Sequence, residues 1–178
     1  PCFDYKIVSI VEEAAKYVLR EHLKSVGLIA TEFTVASGKY AELIHQGNPD
    51  CHVVGKGSPL LAALVDRGDF NQHDINTEIR TQVDNILSRE KVNDLILGCT
   101  HYPLLEEVIG DFMGPDVTLI DSGAEAANLA STQFDPNEGT GTTQYFVSDD
   151  PQGFDQLAEL FLQEKVDVGA ELVDISRY

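Results

Sequence analysis

Cysteine, positive charge and long apolar runs are all scarce in this chain. Three cysteines occur in 178 residues, Cys2, Cys51 and Cys99. So sparse and odd a count builds no disulfide framework and fits a reducing compartment. Lysine and arginine number 12 against 30 aspartates and glutamates, a formal net charge of −18. Such a surface has no basic patch to neutralise phosphates, so no nucleic-acid partner is expected. An anionic substrate would have to be held by local donors, such as helix N-termini, against the long-range field. No apolar run approaches the roughly 18 residues that span a bilayer, and no basic, apolar leader opens the sequence. A cytoplasmic protein without membrane contact is the expectation.

What is present is the composition of an ordinary globular protein, 43% hydrophobic and 24% charged. Its length allows one substantial core, or one domain and part of another. Apolar stretches alternate with helical spacing. Strands are expected at Lys6–Val11, Val26–Ala30, Cys51–Val54, 94–98 and 117–121. Helices are expected over Glu12–Leu23, through Tyr40, Leu43 and Ile44, over Pro59–Val65, His73–Arg89, 103–112 and about Ala124–Ser131. This alternation predicts an α/β fold with a mainly parallel sheet flanked by helices. Residues 133–141 read as a loop, followed by a strand at Gln144–Ser148, a helix at Pro151–Leu162 and a last strand at Ala170–Ile175.

In open α/β sheets, ligands bind beyond the carboxyl ends of the strands. Three strands here end in hydroxyl or thiol residues that lead into a helix: Ala30–Thr34 (IATEFT from Ile29), Leu97–His101 (LGCTH) and Ile120–Glu125 (IDSGAE). Each such turn offers donors suited to a carboxylate, although singly each serves equally as a helix cap. The middle one places Cys99 two residues before His101, at what reads as a helix N-terminus entered through Pro103. Helix end and imidazole both predict a thiol pKa lowered from about 8.5 towards 3.5–7.5. A thiol so placed can act as a nucleophile, metal ligand, redox sensor or acid–base group. Cys51 and Cys2 share no ligand spacing with Cys99, and there is no Cys-x-x-Cys. Cys51 reads as packing, and His22, His45, His52 and His73 as surface residues.

The segment LILGCTHYPLL (95–105) resembles the second catalytic-cysteine motif of glutamate racemases, in the aspartate/glutamate racemase superfamily. VGLIATEFTVASGKY (26–40) is similar to the Gly-Thr-x-x-Thr segment of that family, with Ala30 in place of the usual Gly. SPLLAALVDRG (58–68), GPDVTLIDSGAEAA (114–127) and YFVSDDPQGFDQLAELFL (145–162) extend the likeness over nearly the whole chain. The resemblance implies a cofactor-independent, two-base racemisation of glutamate for peptidoglycan synthesis, in which two cysteines face opposite sides of the α-carbon. It implies that Cys99 is one acid–base thiol and that His101 is its ionising partner. Asp66 stands where many members carry the Glu that works with the His. Thr31, Thr34 and Thr100 fall at substrate-binding positions. No metal or other cofactor is expected; the substrate is a small molecule, and a homo-oligomer is possible. Members begin with segments that do not occur here, including the first cysteine motif. The chain is therefore expected to comprise one complete domain, residues 1–122, and the returning part of another, 123–178, and not to racemise by itself. Aspartate racemase, or a remnant that binds a dicarboxylate or partner without turnover, are the alternatives.

Overall fold

The computed structural model describes residues 7–67, 72–133 and 140–177. It divides into two compact units, Pro1–Asp135 and Pro136–Tyr178. Among the described residues no helix is long and apolar enough to cross a membrane.

The first unit opens with α1 (Ile10–Arg20). The strand expected at Lys6–Val11 is not there: Lys6 lies outside the described residues, Ile7 and Val8 are irregular, and Ile10 and Val11 are helical. Ser9 decides the outcome. Its Oγ accepts the Glu12 amide at 3.4 Å as an N-cap, Glu12 and Glu13 favour the positive helix end, and Val11, Ala14, Ala15 and Val18 follow helical spacing. Next come β1 (Ser25–Thr31), α2 (Glu32–Ala36), α3 (Lys39–Gly47), β2 (His52–Ser58) and α4 (Leu61–Asp66). They are followed by α5 (Gln72–Leu87), β3 (Asp94–Leu97), α6 (Glu106–Met113), β4 (Thr118–Asp121) and α7 (Ser122–Gln133). A short 3₁₀ turn, Tyr102–Leu105, precedes α6, so the helix expected from residue 103 begins as 3₁₀ and becomes α-helical three residues later.

The four strands form a parallel sheet in the order β2-β1-β3-β4. Both faces of it are covered, which is why β1 and β3 read as continuous apolar runs. Val26, Leu28, Ala30, Ile96 and Ile120 share one face with Ala14, Ala15 and Val18 of α1 and Tyr40 and Ile44 of α3. Alternation along the strands turns Gly27 and Leu95 to the other face, where a Cβ on Gly27 would meet Leu95, Val92 and Ile86. Ile79, Val83 and Ile86 of α5 and Ile109 of α6 are buried as well. Each such side chain contributes about 1.5–3 kcal/mol on burial. Cys51 belongs to this packing, and burial pushes its thiol up, as an inert core cysteine requires.

The second unit is a small βαβ arrangement. β5 (Phe146–Val147) pairs in parallel with β6 (Glu171–Leu172), and α8 (Pro151–Leu162) lies between them in sequence. The strands expected at Gln144–Ser148 and Ala170–Ile175 are thus present in two residues each, the second giving way to a 3₁₀ turn at Ile175–Arg177. The loop expected at 133–141 lies mostly outside the described residues. Asp150 caps α8 through Gly153, Tyr145 packs on Phe154 at 5.5 Å, and no residue of α8 is fully buried.

Candidate active site

The sheet order gives the location. From β1 the chain moves outward to β2, then returns so that β3 joins the opposite side of β1. Strand order therefore reverses between β1 and β3, and the crevice beyond their carboxyl ends is where such sheets bind ligands. Thr31 ends β1, and Cys99 follows two residues after β3, on the two sides of that reversal.

Cys99, His101 and Asp66 form one chain of contacts. The thiol Sγ lies 3.5 Å from His101 Nδ1, and His101 Nε2 lies 2.7 Å from Asp66 Oδ1. A carboxylate can only accept, so Nε2 carries the hydrogen, and Nδ1 of the neutral ring is left as an acceptor facing the thiol. Thr100 Oγ1 approaches the same nitrogen at 3.4 Å. Asp66, at the end of α4, reaches the imidazole despite being one methylene shorter than glutamate. Its side chain is half exposed and that of His101 about a quarter exposed.

The expected depression of the thiol is corrected by this geometry. Burial pushes Cys99 up, and the Asp66 carboxylate adds to the rise; the His101 backbone N–H opposes both. The helix end assumed from sequence is absent at this point, because residues 99–101 form a turn followed by four residues of 3₁₀ helix. A macrodipole needs aligned turns, and none begins at Cys99. Burial thus favours the S–H form of the thiol, 3.5 Å from His101 Nδ1. Moving its proton to Nδ1 gives a thiolate beside an imidazolium that Asp66 stabilises, the arrangement of a general base supported by an orienting carboxylate.

Thr31 and Thr34 come together at the adjacent strand exit. Thr31 Oγ1 accepts the Thr34 amide at 3.2 Å as the N-cap of α2 and lies 2.9 Å from Thr34 Oγ1. Thr34 also lines a cavity of about 190 Å³ with Leu28, Val35, Tyr40 and Val53. The approach of α2 to β2 explains Gly57: a Cβ there would stand 2.5 Å from the Glu32 Cα. At the third exit, Asp121 Oδ1 accepts the Gly123 and Ala124 amides at 2.7 and 3.2 Å, so this turn is a cap as well.

A further layer of polar residues carries almost no signal in the sequence. Ser58, ending β2, donates to Glu78 Oε1 at 2.6 Å and accepts the Leu61 amide at 2.9 Å. Gln82 Nε2 donates to the same Glu78 oxygen at 2.7 Å. Burial, with Cys99 and Glu78 nearby, holds the Tyr102 phenol above the ordinary tyrosine range. The only signal in the sequence was the position of Glu78 and Gln82 one turn apart on α5. Among the described residues no group of three or more His, Cys, Asp or Glu is placed to hold a metal ion.

A family model described as Asp/Glu/hydantoin racemase matches residues 4–130, which contain the whole of this site. A glutamate racemase of Geobacter metallireducens is 35% identical over 167 residues, 90% of this chain and 62% of that protein. One from Lactiplantibacillus plantarum is 35% identical over 130 residues, 72% of this chain and 47% of its own. Among solved structures, the Francisella tularensis glutamate racemase in complex with D-glutamate matches with a TM-score of 0.82 at 28% identity, over 96% of this chain and 65% of that one. The Thermus thermophilus glutamate racemase in complex with β-chloro-D-alanine gives 0.78 at 31% identity, over 99% and 66%. The chain spans less than two thirds of the length of each of these relatives. Fold, strand-exit site and sequence match agree: the chain belongs to the Asp/Glu/hydantoin racemase family.

Proposed function

We propose that this chain is part of a cofactor-independent glutamate racemase, an isomerase that interconverts L- and D-glutamate, and that Cys99 is one of its two acid–base thiols. The observation that carries the proposal is the Cys99–His101–Asp66 chain at the strand-order reversal of a racemase fold. His101 draws the proton from Cys99, and the resulting thiolate takes the α-hydrogen from one face of the substrate. Thr100, Thr31 and Thr34 offer hydroxyls to the substrate's carboxylates. A second thiol returns a proton on the opposite face. Cys51 cannot be that thiol, because it is buried in the core, and Cys2 lies outside the described residues. D-Glutamate made this way would serve peptidoglycan synthesis in the cytoplasm. Residues 123–178 would complete the second domain of the full-length enzyme.

The test follows the α-hydrogen of L- and D-glutamate by NMR in D₂O, alongside a chiral assay, with Cys99→Ala as the control. Slow exchange from one enantiomer only, abolished by Cys99→Ala, is expected of this chain by itself. Exchange that persists in Cys99→Ala would overturn the role of Cys99. Iodoacetamide labelling of Cys99 should also be slowed by glutamate.

A further inference from the structure

The peptide plane joining Leu97 to Gly98, immediately before Cys99, is held at both ends. Its N–H donates from Gly98 to the Ile29 carbonyl of β1 at 2.8 Å. Its carbonyl, on Leu97, accepts from Ser122 Oγ at 3.0 Å, across from the β4–α7 junction. Ser122 is itself buried, and its Oγ lies 3.2 Å from the hydroxyl of Tyr40 on α3, which is also buried. The direction of these bonds is fixed. A carbonyl only accepts, so the single hydroxyl hydrogen of Ser122 goes to Leu97, and Tyr40 must donate to Ser122. Gly98 permits the arrangement, since a Cβ there would lie 2.7 Å from Leu28 Cδ1 and 3.1 Å from the Ala30 Cβ. Tyr40 is close enough to Cys99 that a thiolate there adds to the burial that raises its phenol.

We propose that Ser122 and Tyr40 are positioning residues for Cys99. Together they form the side-chain half of a clamp whose main-chain half is the Gly98–Ile29 bond, fixing the direction in which the chain leaves β3. Neither touches the reacting atoms, and both act through the Leu97 carbonyl. The clamp ties the thiol to three elements far apart in sequence, α3, β1 and the start of α7. The inference takes from the racemase reading only the identity of Cys99 as the group to be placed.

The test measures iodoacetamide alkylation of Cys99 against pH, read by peptide mass spectrometry so that Cys2 and Cys51 do not interfere. Ser122→Ala and Tyr40→Phe are compared with Ile44→Val, a core change on α3 that leaves the clamp intact. With the carbonyl released, Ser122→Ala should alkylate at least about threefold faster near neutral pH, its midpoint moving down towards the ordinary thiol value of about 8.5. Tyr40→Phe, which leaves Ser122 on Leu97 but removes its donor, should move the profile the same way by about half as much on a logarithmic scale. Ile44→Val should leave the profile unchanged at an equal loss of Tm. A Ser122→Ala profile that superimposes on the parent, or that only tracks Tm along with Ile44→Val, overturns the proposal. Should Ser122→Ala fail to fold, Tyr40→Phe decides alone, and an unchanged profile there overturns it. Slowing by glutamate, read in the parent in the same assay, tests the racemase reading separately: its absence would leave the clamp standing.

Discussion

At the scale of single residues, the site depends on a competition over one proton. Burial keeps Cys99 protonated, and the nearby Asp66 charge works in the same direction. Against this stands the Nδ1 lone pair of His101, oriented by the 2.7 Å contact of Nε2 with Asp66. Asp66 therefore has two opposed effects, a direct one that disfavours the thiolate and an indirect one that favours the imidazolium. The indirect effect acts through a hydrogen bond and the direct one through longer, partly solvated space, so the indirect effect should dominate. His101→Ala is accordingly expected to slow Cys99 alkylation near neutral pH by about tenfold. Its pH profile should lie further to the alkaline side than the parent's, whose thiol burial already raises. An unchanged rate would show that the imidazole does not take the proton.

At the scale of elements, the parallel sheet was legible because β1 and β3 are apolar at consecutive positions and each is followed by a helical pattern. The helix Pro151–Leu162 was also legible to the residue, because a capping Asp150 and a following proline mark its start. Where expectation failed, a local competitor explains it. Ile7, Val8, Ile10 and Val11 are β-branched and suit a strand, but Ser9 interrupts them as a cap, and the pattern beyond it has a period of 3.6. The expected thiol depression failed for a different reason. Cys99 and His101 are neighbours in sequence, so their pairing was visible there. Burial depends on the fold, which brings the sheet and Tyr40 of α3 to Cys99 from far away in sequence. Ser58 and Glu78 were not legible for the same cause, and Ser122 was legible only as the hydroxyl of a strand-exit turn, since each matters through partners that the fold brings to it. The relative weight of capping and core packing is measurable in urea. Ile96→Ala, at a fully buried position on the sheet face covered by α1 and α3, should cost about 2–5 kcal/mol. Ser9→Ala should cost about 1 kcal/mol. A reversal of that order would contradict the packing described.

At the scale of the whole molecule, four buried or half-buried groups share one tendency. Cys51, Cys99, Tyr40 and Tyr102 are all pushed up, in each case chiefly by burial. In the unfolded chain they ionise near the ordinary values, about 8.5 for thiols and about 10 for phenols. Below these values folded and unfolded chains hold the same protons, and the groups impose no penalty. As pH rises through about 8.5 the unfolded state releases protons that the folded state retains, so stability falls, and it falls more steeply near about 10. Melting temperatures should therefore decline steadily on the alkaline side. A Tm that holds or climbs above about pH 9 would contradict the burial assigned to these groups.

The pairing of β1 with β3 carries a consequence for assembly as well as for the folded state. Leu28 faces Ile96 across that pair, and α2 to α5, with β2, intervene in sequence. Parallel pairings between such distant segments are reached slowly, because the loop must close before any contact repays it. The β1–β2 pairing closes a shorter loop than the β1–β3 pairing, and the Cys99 turn, which follows directly on β3, acquires its shape only when β3 docks on β1. The thiol is therefore placed by one of the later events in the history of the fold, and a chain halted short of that event carries every residue of the site and no site.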